Sequence, residues 1–415
     1  MSGLLMRFFV LQHGLKDYHS HCFSEALGWR RAFRRRNLEF ELYIHRDAMP
    51  SIVTESGGIP VFPHEPTAEI ERDPVSDDLN GNLFYGEAFG SACSVLDEKV
   101  TAEDVVIIPH TTARELYGVL IWLRTLQEHR RPRVVFIFFH PNFLWRLSDD
   151  GKQLTGDVSF FRHSANQLAD IAPSDRVIYC ADNELLRAAM AWALNQRCSR
   201  CSMTIDYFSD EETPGNPNEP EWVPAHIGLL GDFREEKGRS LVHKVIQKFC
   251  AARPGREFFI QTQNDVQARA LEKSLRMHGG GTVQTFVGQL SQAGYIKRLK
   301  SIEILLMPYL KDRYRMRSSG VFAEAVAYGV VTVAPSGTWM AEQLAAGWGS
   351  GVVFDVLSVD SITEALIRAS DDYASLKKTA AERSDAWRRA QSTTALIDHI
   401  LSRLEVSAPI PSECG

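Results

Sequence analysis

Two short stretches combine cations, small residues and helix starts in a way that suits a polyphosphate. In HIGLLGDFREEKGRSLV, residues 226–242, an apolar run ends near Gly231, Arg234 and Lys237 fall in the following turn, and Gly238 precedes a helix expected from about Ser240. A helix N-terminus presents free N–H groups, and two nearby cations add charge that favours an anion. Glu235 and Glu236 stand beside those cations, so a solvated turn of mixed charge fits equally well. In IEILLMPYLKDRYRMRSSG, residues 302–320, a strand is expected to end at Pro308 and Tyr309. Arg313, Arg315 and Arg317 follow, and Ser318, Ser319 and Gly320 open a helix expected over 319–328. Small residues leave the first amides open to a phosphate oxygen. Glu324 comes one turn later, where a carboxylate either supports the helix dipole or holds sugar or ribose hydroxyls.

Four histidines close apolar runs: His13, His45, His110 and His140. In a parallel sheet such positions form the rim where ligands bind. Loop histidines are also common without any role. His140 is the sharpest case, because Pro141 stops its strand. A neutral imidazole there could hydrogen-bond a hydroxyl or accept a proton. MHGGGT, 277–282, fits neither dinucleotide nor Walker spacing and reads as a turn. WRRAFRRR, 29–36, interleaves Trp29 and Phe33 with arginines; it is either a solvated helix face or a contact for an anionic membrane surface. No DxD pair occurs where a metal-bound nucleotide would be expected, so no catalytic metal and no cofactor are expected.

The elements that must position these residues alternate. RFFVLQH, FELYIH, DVVIIPH, RVVFIFFH and RVIYC are followed, after a break, by HIGLLGDF, EFFIQT, TVQTFVG, IEILLMPY, VVTVAP and GVVF. Apolar runs without alternation imply strands buried on both faces, hence parallel sheet. Amphipathic stretches such as FSEALGWRRAFRRRN, LYGVLIWLRTLQEH and SLVHKVIQKFCAA lie between them. Strand–helix alternation predicts βαβ units. The break, 205–225, is rich in Pro, Gly, Asn, Asp and Glu. The expected fold is α/β: two Rossmann-like, doubly wound parallel-sheet domains facing across a cleft. The expected boundaries are 1–210, a linker at 211–224, 225–371, and a C-terminal helical segment at 372–415 that crosses back to the first domain.

Composition narrows the function classes. With 44% hydrophobic and 24% charged residues, the 415-residue chain has the balance of a soluble globular protein. A net charge of −6 leaves no chain-wide basic field, so nucleic acid is not an expected partner. No apolar run reaches spanning length, and the short N-terminal run reads as a strand. Of seven cysteines only Cys198 and Cys201 form a CxxC, and no second pair lies at zinc spacing. Reduced, mostly buried thiols in a cytoplasmic protein are expected.

Taken together, these residues resemble the retaining glycosyltransferases of the two-domain GT-B fold, which use nucleotide-sugar donors without a metal. The resemblance is clearest over 225–370. That family carries G-R-x-x-x-E-K-G in its donor domain. Here GDFREEKG supplies Gly231, Glu236, Lys237 and Gly238 in step, with Asp232 at the arginine position and Arg234 two residues later. The family also has two glutamates eight positions apart, the second in an E-A-M-A-x-G context. EAVAYGVVTVAP matches that context at Glu324, but the first glutamate falls on Met316. PSGTWMAEQL and GSGVVF follow in the family's order, whereas the family's glycine-rich loop after the first strand is reduced to HGLKDYHSH, with Gly14 alone.

The resemblance implies Arg234, Lys237, Ser318, Ser319 and Gly320 on the donor diphosphate. Gly231, Gly288, Tyr309 and Arg317 complete the donor site, and His140 and Glu324 are the catalytic residues. His13, Gly14 and His110 are acceptor-side candidates. It implies transfer of a sugar, with retention, from a nucleotide-diphospho sugar to an acceptor that is a glycan, a lipid-linked molecule or a small molecule. Peripheral contact with the inner face of a membrane is compatible with the basic helix. Two other readings stay open: a nucleotide-sugar epimerase on a similar fold, and a catalytically silent binding module, which the Met316 and Asp232 departures favour.

Overall fold

The eleven apolar runs fold as strands of two wholly parallel sheets. In the computed structural model, residues 6–18, 22–64, 79–141, 145–148, 154–204, 224–231, 233–277, 282–288, 290 and 292–405 are described. Most of the expected linker lies outside the described residues, as do Asp232, residues 278–281 of the glycine turn, and Cys414. The first sheet uses β1 (Phe8–Gln12), β2 (Phe40–His45), β3 (Ile59–Phe62), β4 (Val105–Ile108) and β5 (Arg133–Phe138). A small antiparallel hairpin, β6 (Arg146–Leu147) and β7 (Leu154–Thr155), stands apart from that sheet, which continues with β8 (Val177–Ala181) and β9 (Cys198–Arg200). The order is β3-β2-β1-β4-β5-β8-β9. The second sheet has β10 (Ala225–Leu229), β11 (Glu257–Thr262), β12 (Thr282–Val287), β13 (Ile302–Leu306), β14 (Val331–Pro335) and β15 (Gly351–Phe354), in the order β12-β11-β10-β13-β14-β15.

Both orders reverse direction once, between β1 and β4 and between β10 and β13. Open α/β sheets bind ligands at such a switch point, outside the strand carboxyl ends. The strands reach it because they are buried on both faces: β1, β4, β8 and β14 are buried along their whole length. β12, at a sheet edge, is only partly covered.

The chain divides into two compact units, Met1–Asp206 with Gln391–Gly415, and Tyr207–Ala390. The first unit buries Phe8, Trp29, Phe33 and Leu42 together with Leu396, Ile397, Ile400 and Leu404 from the end of the chain. The second packs Ile227, Val245, Phe249, Phe258 and Ile304 with Ile362 and Leu366.

Two expectations need correction. The C-terminal segment is not one helix. Tyr373–Ala390 clusters with the second unit and Thr393–Glu405 with the first. The Ser392 hydroxyl accepts from the Ala395 amide at 3.1 Å, an N-cap that starts a new helix where the pattern alone looks continuous. In the basic cluster, Trp29 and Phe33 are fully buried inside the Cys22–Arg35 helix's packed face. They stack at 6.1 Å and offer no aromatic wedge to a bilayer. Among the described residues no helix is long and apolar enough to cross a membrane.

One anchor fixes the element that carries the RMRSSG stretch. The Trp387 indole donates to the Ala323 carbonyl at 2.9 Å and packs against Phe322, Trp339 and Trp348. It holds Tyr373–Ala390 on the Gly320–Ala327 helix. Trp387→Ala is expected to lower stability by about 3–5 kcal/mol, from a large cavity and an orphaned carbonyl. Urea unfolding monitored by circular dichroism measures it.

Candidate functional site

In the second unit, the two stretches singled out in the sequence meet at the switch between β10 and β13. The turn Glu235–Lys237 is a single 3-10 turn, and Gly238 ends it at φ 76°. A Cβ there would sit 2.3 Å from the Pro308 carbonyl oxygen, so only glycine lets the turn lie against the end of β13. The Leu310 amide donates to the Glu236 carbonyl at 2.9 Å and locks that seating. Lys237 Nζ is then carried over Gly231, where an added Cβ would come within 2.9 Å of it, and lies 5.5 Å from the centre of the Tyr309 ring.

The arginines converge on the same place. Glu236 Oε1 lies 3.7 Å from the guanidinium nitrogens of both Arg234 and Arg317. At such distances and partial exposure these pairings are weak and leave net positive charge. Arg317 stands 5.7 Å from the Tyr314 ring, which packs on Tyr309 at 4.5 Å. Burial pushes the Tyr309 phenol well above its usual range despite Arg234 and Arg317 nearby, so it stays a neutral hydroxyl. Arg313 and Arg315 sit on the same segment, Arg313 exposed and Arg315 half-buried.

The helix opening differs in detail from expectation. It runs Gly320–Ala327, with Ser319 as N-cap. The Ser319 hydroxyl accepts from the Phe322 amide at 3.3 Å, so it serves the helix and is buried. The amides of Gly320 and Val321 belong to the first turn, which has no intrahelical acceptor for them. Ser318 and Gly320 are half-buried at this opening.

Gly231 and Gly288 are joined through a residue the sequence did not single out. Gln261, at the end of β11, accepts from the Gly231 amide at 2.9 Å and donates to the Gly288 carbonyl at 2.8 Å. Gly231 and Gly288 both have positive φ, 85° and 87°. A glutamine inside an apolar run gives no periodic signal, so only the sheet order reveals it.

Glu324 is buried. Burial raises its pKa to about 7, against a smaller opposite effect of the neighbouring Tyr295 phenol. Tyr295, on the Gln292–Lys300 helix, is likewise raised well above its range by burial and by Glu324. The position of the family's first glutamate, Met316, is a buried side chain at 5% exposure.

In the first unit, His13 and His110 flank the β1–β4 switch, and His140 follows β5. The His110 and His140 rings stack at 6.3 Å. His110 has φ 57°, a left-handed conformation that is uncommon outside glycine. Burial works against a charged His110, but Glu25, 2.7 Å away, outweighs it and raises the pKa. His13 is fully buried; that burial, with His110 and His45 near, lowers its pKa to about 3 and keeps it neutral. It sits 3.6 Å from Glu115, the carboxylate of the Thr112 capping box. Gly14 lies half-exposed in the turn after β1. Glu25 and Glu115 are unmarked in the sequence, because each reads as an ordinary polar helix position.

No family model matches the sequence, and no curated protein matches it. Solved structures match nearly its whole length. A glycosyltransferase from Rickettsia africae has 9% identity and TM-score 0.65, covering 97% of this chain and 99% of that one. The Anabaena protein HepE, solved with UDP and glucose, has 11% identity and TM-score 0.61, with 96% and 99% covered. A trehalose-6-phosphate structure from E. coli, bound with UDP-2-fluoro glucose, has 12% identity and TM-score 0.64, with 98% and 100% covered. The fold is therefore that of the GT-B glycosyltransferases: two α/β domains built on parallel sheets.

Because Glu324 holds its proton more tightly when folded than unfolded, its contribution to stability is present at low pH and is lost as pH rises through about 7. A shift of that size corresponds to about 3 kcal/mol. Urea midpoints for the wild type should fall between pH 5 and pH 8, and Glu324→Gln should flatten that slope.

Proposed function

We propose that the chain is a glycosyltransferase that takes a nucleotide-diphospho sugar in its second unit. The observation that carries this reading is the gathering of Lys237, Arg234 and Arg317 with the Gly320 helix opening at the β10–β13 switch. A diphosphate leaving group develops charge as the sugar departs, and preorganised cations and amides stabilise that charge without reorganisation. Structures of the same fold were solved with UDP and UDP-glucose, which supports a nucleotide-sugar as the ligand class. Buried at the same opening, Glu324 orients hydroxyls of the donor, and at neutral pH it can accept or donate a hydrogen bond. The Gln261 bridge holds Gly231 and Gly288 so that backbone, not side chain, lines the nucleotide side.

The roles of His140 at the transferred sugar, and of His13, Gly14 and His110 toward an acceptor, rest on the resemblance together with their place on the first unit's rim. Retention of anomeric configuration rests on the resemblance alone, and cytoplasmic location on the cysteine content. One observation favours a second reading, a binding module without turnover: Met316 is packed inside where the family has a glutamate. The first reading requires nucleotide binding in the second unit and sugar transfer; the silent module, which binds a partner or a glycan, requires neither.

Calorimetry against UDP, GDP, ADP and CDP tests both. One nucleoside diphosphate is expected to bind, and Lys237→Ala is expected to weaken it about 10–100-fold, the worth of one charged hydrogen bond. Unchanged affinity in Lys237→Ala would refute the diphosphate role. No binding of any nucleotide would support the silent module.

A further inference from the structure

Unit 1 holds a polar trio of which the proposed function uses only His110, as an acceptor-side candidate. Cys22 opens the Cys22–Arg35 helix, Glu25 follows one turn later on it, and His110 lies in the turn just after β4. One donor atom from each lies within 4.8 Å of the other two, and among the described residues no other Cys, His, Asp and Glu group converges so closely. Cys22 and Glu25 are buried, at 7% and 4% exposure, and the His110 side chain is 18% exposed. This is a cup with two inner donors and one at its mouth.

We infer that Cys22, Glu25 and His110 bind a thiophilic divalent cation, of which zinc is the best match. Thiolate, imidazole and carboxylate are the zinc donor set, with bonds of roughly 2.0–2.3 Å. Donors of a single ion therefore lie within about 4.5 Å of one another, a spread the trio reaches with a small side-chain rotation. A thiolate and a carboxylate carry two negative charges, which a divalent ion neutralises inside a buried site.

A second observation points into the same place. Gln12, at the end of β1 and 1% exposed, donates from Nε2 to Glu25 Oε2 at 2.7 Å. This is the outer contact that orients a ligating carboxylate. The oxygen of the same amide, Gln12 Oε1, is buried with no hydrogen-bond partner. Among the described residues three protein ligands converge, and a water completing the tetrahedron could donate to the Gln12 oxygen. The left-handed backbone at His110 also sets its imbalance of cost against use: φ 57° is held where it brings the imidazole to Glu25. The lack of a DxD pair bears on a metal-bound nucleotide and not on this trio. The inference concerns the first unit and stands apart from what the second unit binds.

The test uses the full chain, stripped with a chelator and titrated with Co2+ and then Zn2+. One equivalent is expected, with a thiolate-to-cobalt charge-transfer band. Cys22→Ser should abolish the band and weaken Zn2+ by about 100-fold, and Gln12→Ala by about 10–100-fold, with circular dichroism unchanged. Cys180 and Cys201 lie elsewhere in the same unit, so the band should persist in the Cys180→Ser, Cys201→Ser double variant. Should Cys22→Ser fail to fold, Glu25→Gln decides, since it keeps volume but loses charge, and Zn2+ affinity should fall at least about tenfold. Less than about a tenth of an equivalent bound, a band that survives Cys22→Ser, or affinity untouched by Glu25→Gln would overturn the inference.

Discussion

Parallel pairing is the constraint from which the rest follows. Every strand of both main sheets runs the same way, so every strand carboxyl end comes to one edge. Backbone groups there lose their ladder partners. The chain answers with turns and caps: Gly238 against Pro308, Ser319 capping Phe322, Thr112 and Glu115 reciprocally bonded. Each device satisfies local hydrogen bonds and at once leaves a polar group at the edge. The same geometry that stabilises the sheet therefore builds the sites.

The two units answer that constraint with opposite electrostatics. In the second, Arg234 and Arg317 share the Glu236 carboxylate and sit partly exposed. In the first, imidazoles and carboxylates pair inside the protein: His110 with Glu25, His13 beside Glu115. Low dielectric makes such groups sensitive to one another. It explains why His13 is driven neutral while His110, a few residues of sheet away, is driven toward charge. Burial acts on both; Glu25, 2.7 Å from His110, outweighs it, whereas Glu115, 3.6 Å from His13 and itself pushed toward the neutral acid by burial, does not.

Much of this was legible in the sequence where burial is continuous. All eleven apolar runs became strands, because parallel strands covered on both faces leave an unbroken apolar record. β3 and β9 were not legible. IPVF contains a proline and CSR is short and polar, and both lie at sheet edges where burial demands little. The cation-rich stretches were legible as types, and the structure brought Arg234, Lys237 and Arg317 together. Their supports were not legible: Gln261, Tyr295 and Glu25 acquire meaning only through neighbours distant in sequence. Ser319 was seen, but its hydroxyl is committed to the helix and not to a ligand.

The first unit is interrupted in sequence, and that bears on how it is made. Its opening residues end at Asp206, yet Leu396, Ile397, Ile400 and Leu404 complete the core around Trp29 and Phe33. At the usual synthesis rate of roughly 5–20 residues per second, the last helix reaches that core on the order of tens of seconds after the sheet has left the ribosome. Throughout that interval the face formed by the Cys22–Arg35 helix lacks its cover. The arginines on the outer side of the helix, Arg30, Arg34 and Arg35, are exposed in the finished fold. During synthesis their mutual charge repulsion would keep nascent chains apart while the apolar face waits. The core around Trp29 and Phe33 is thus completed by residues made last, beside a helix whose outer side is already charged.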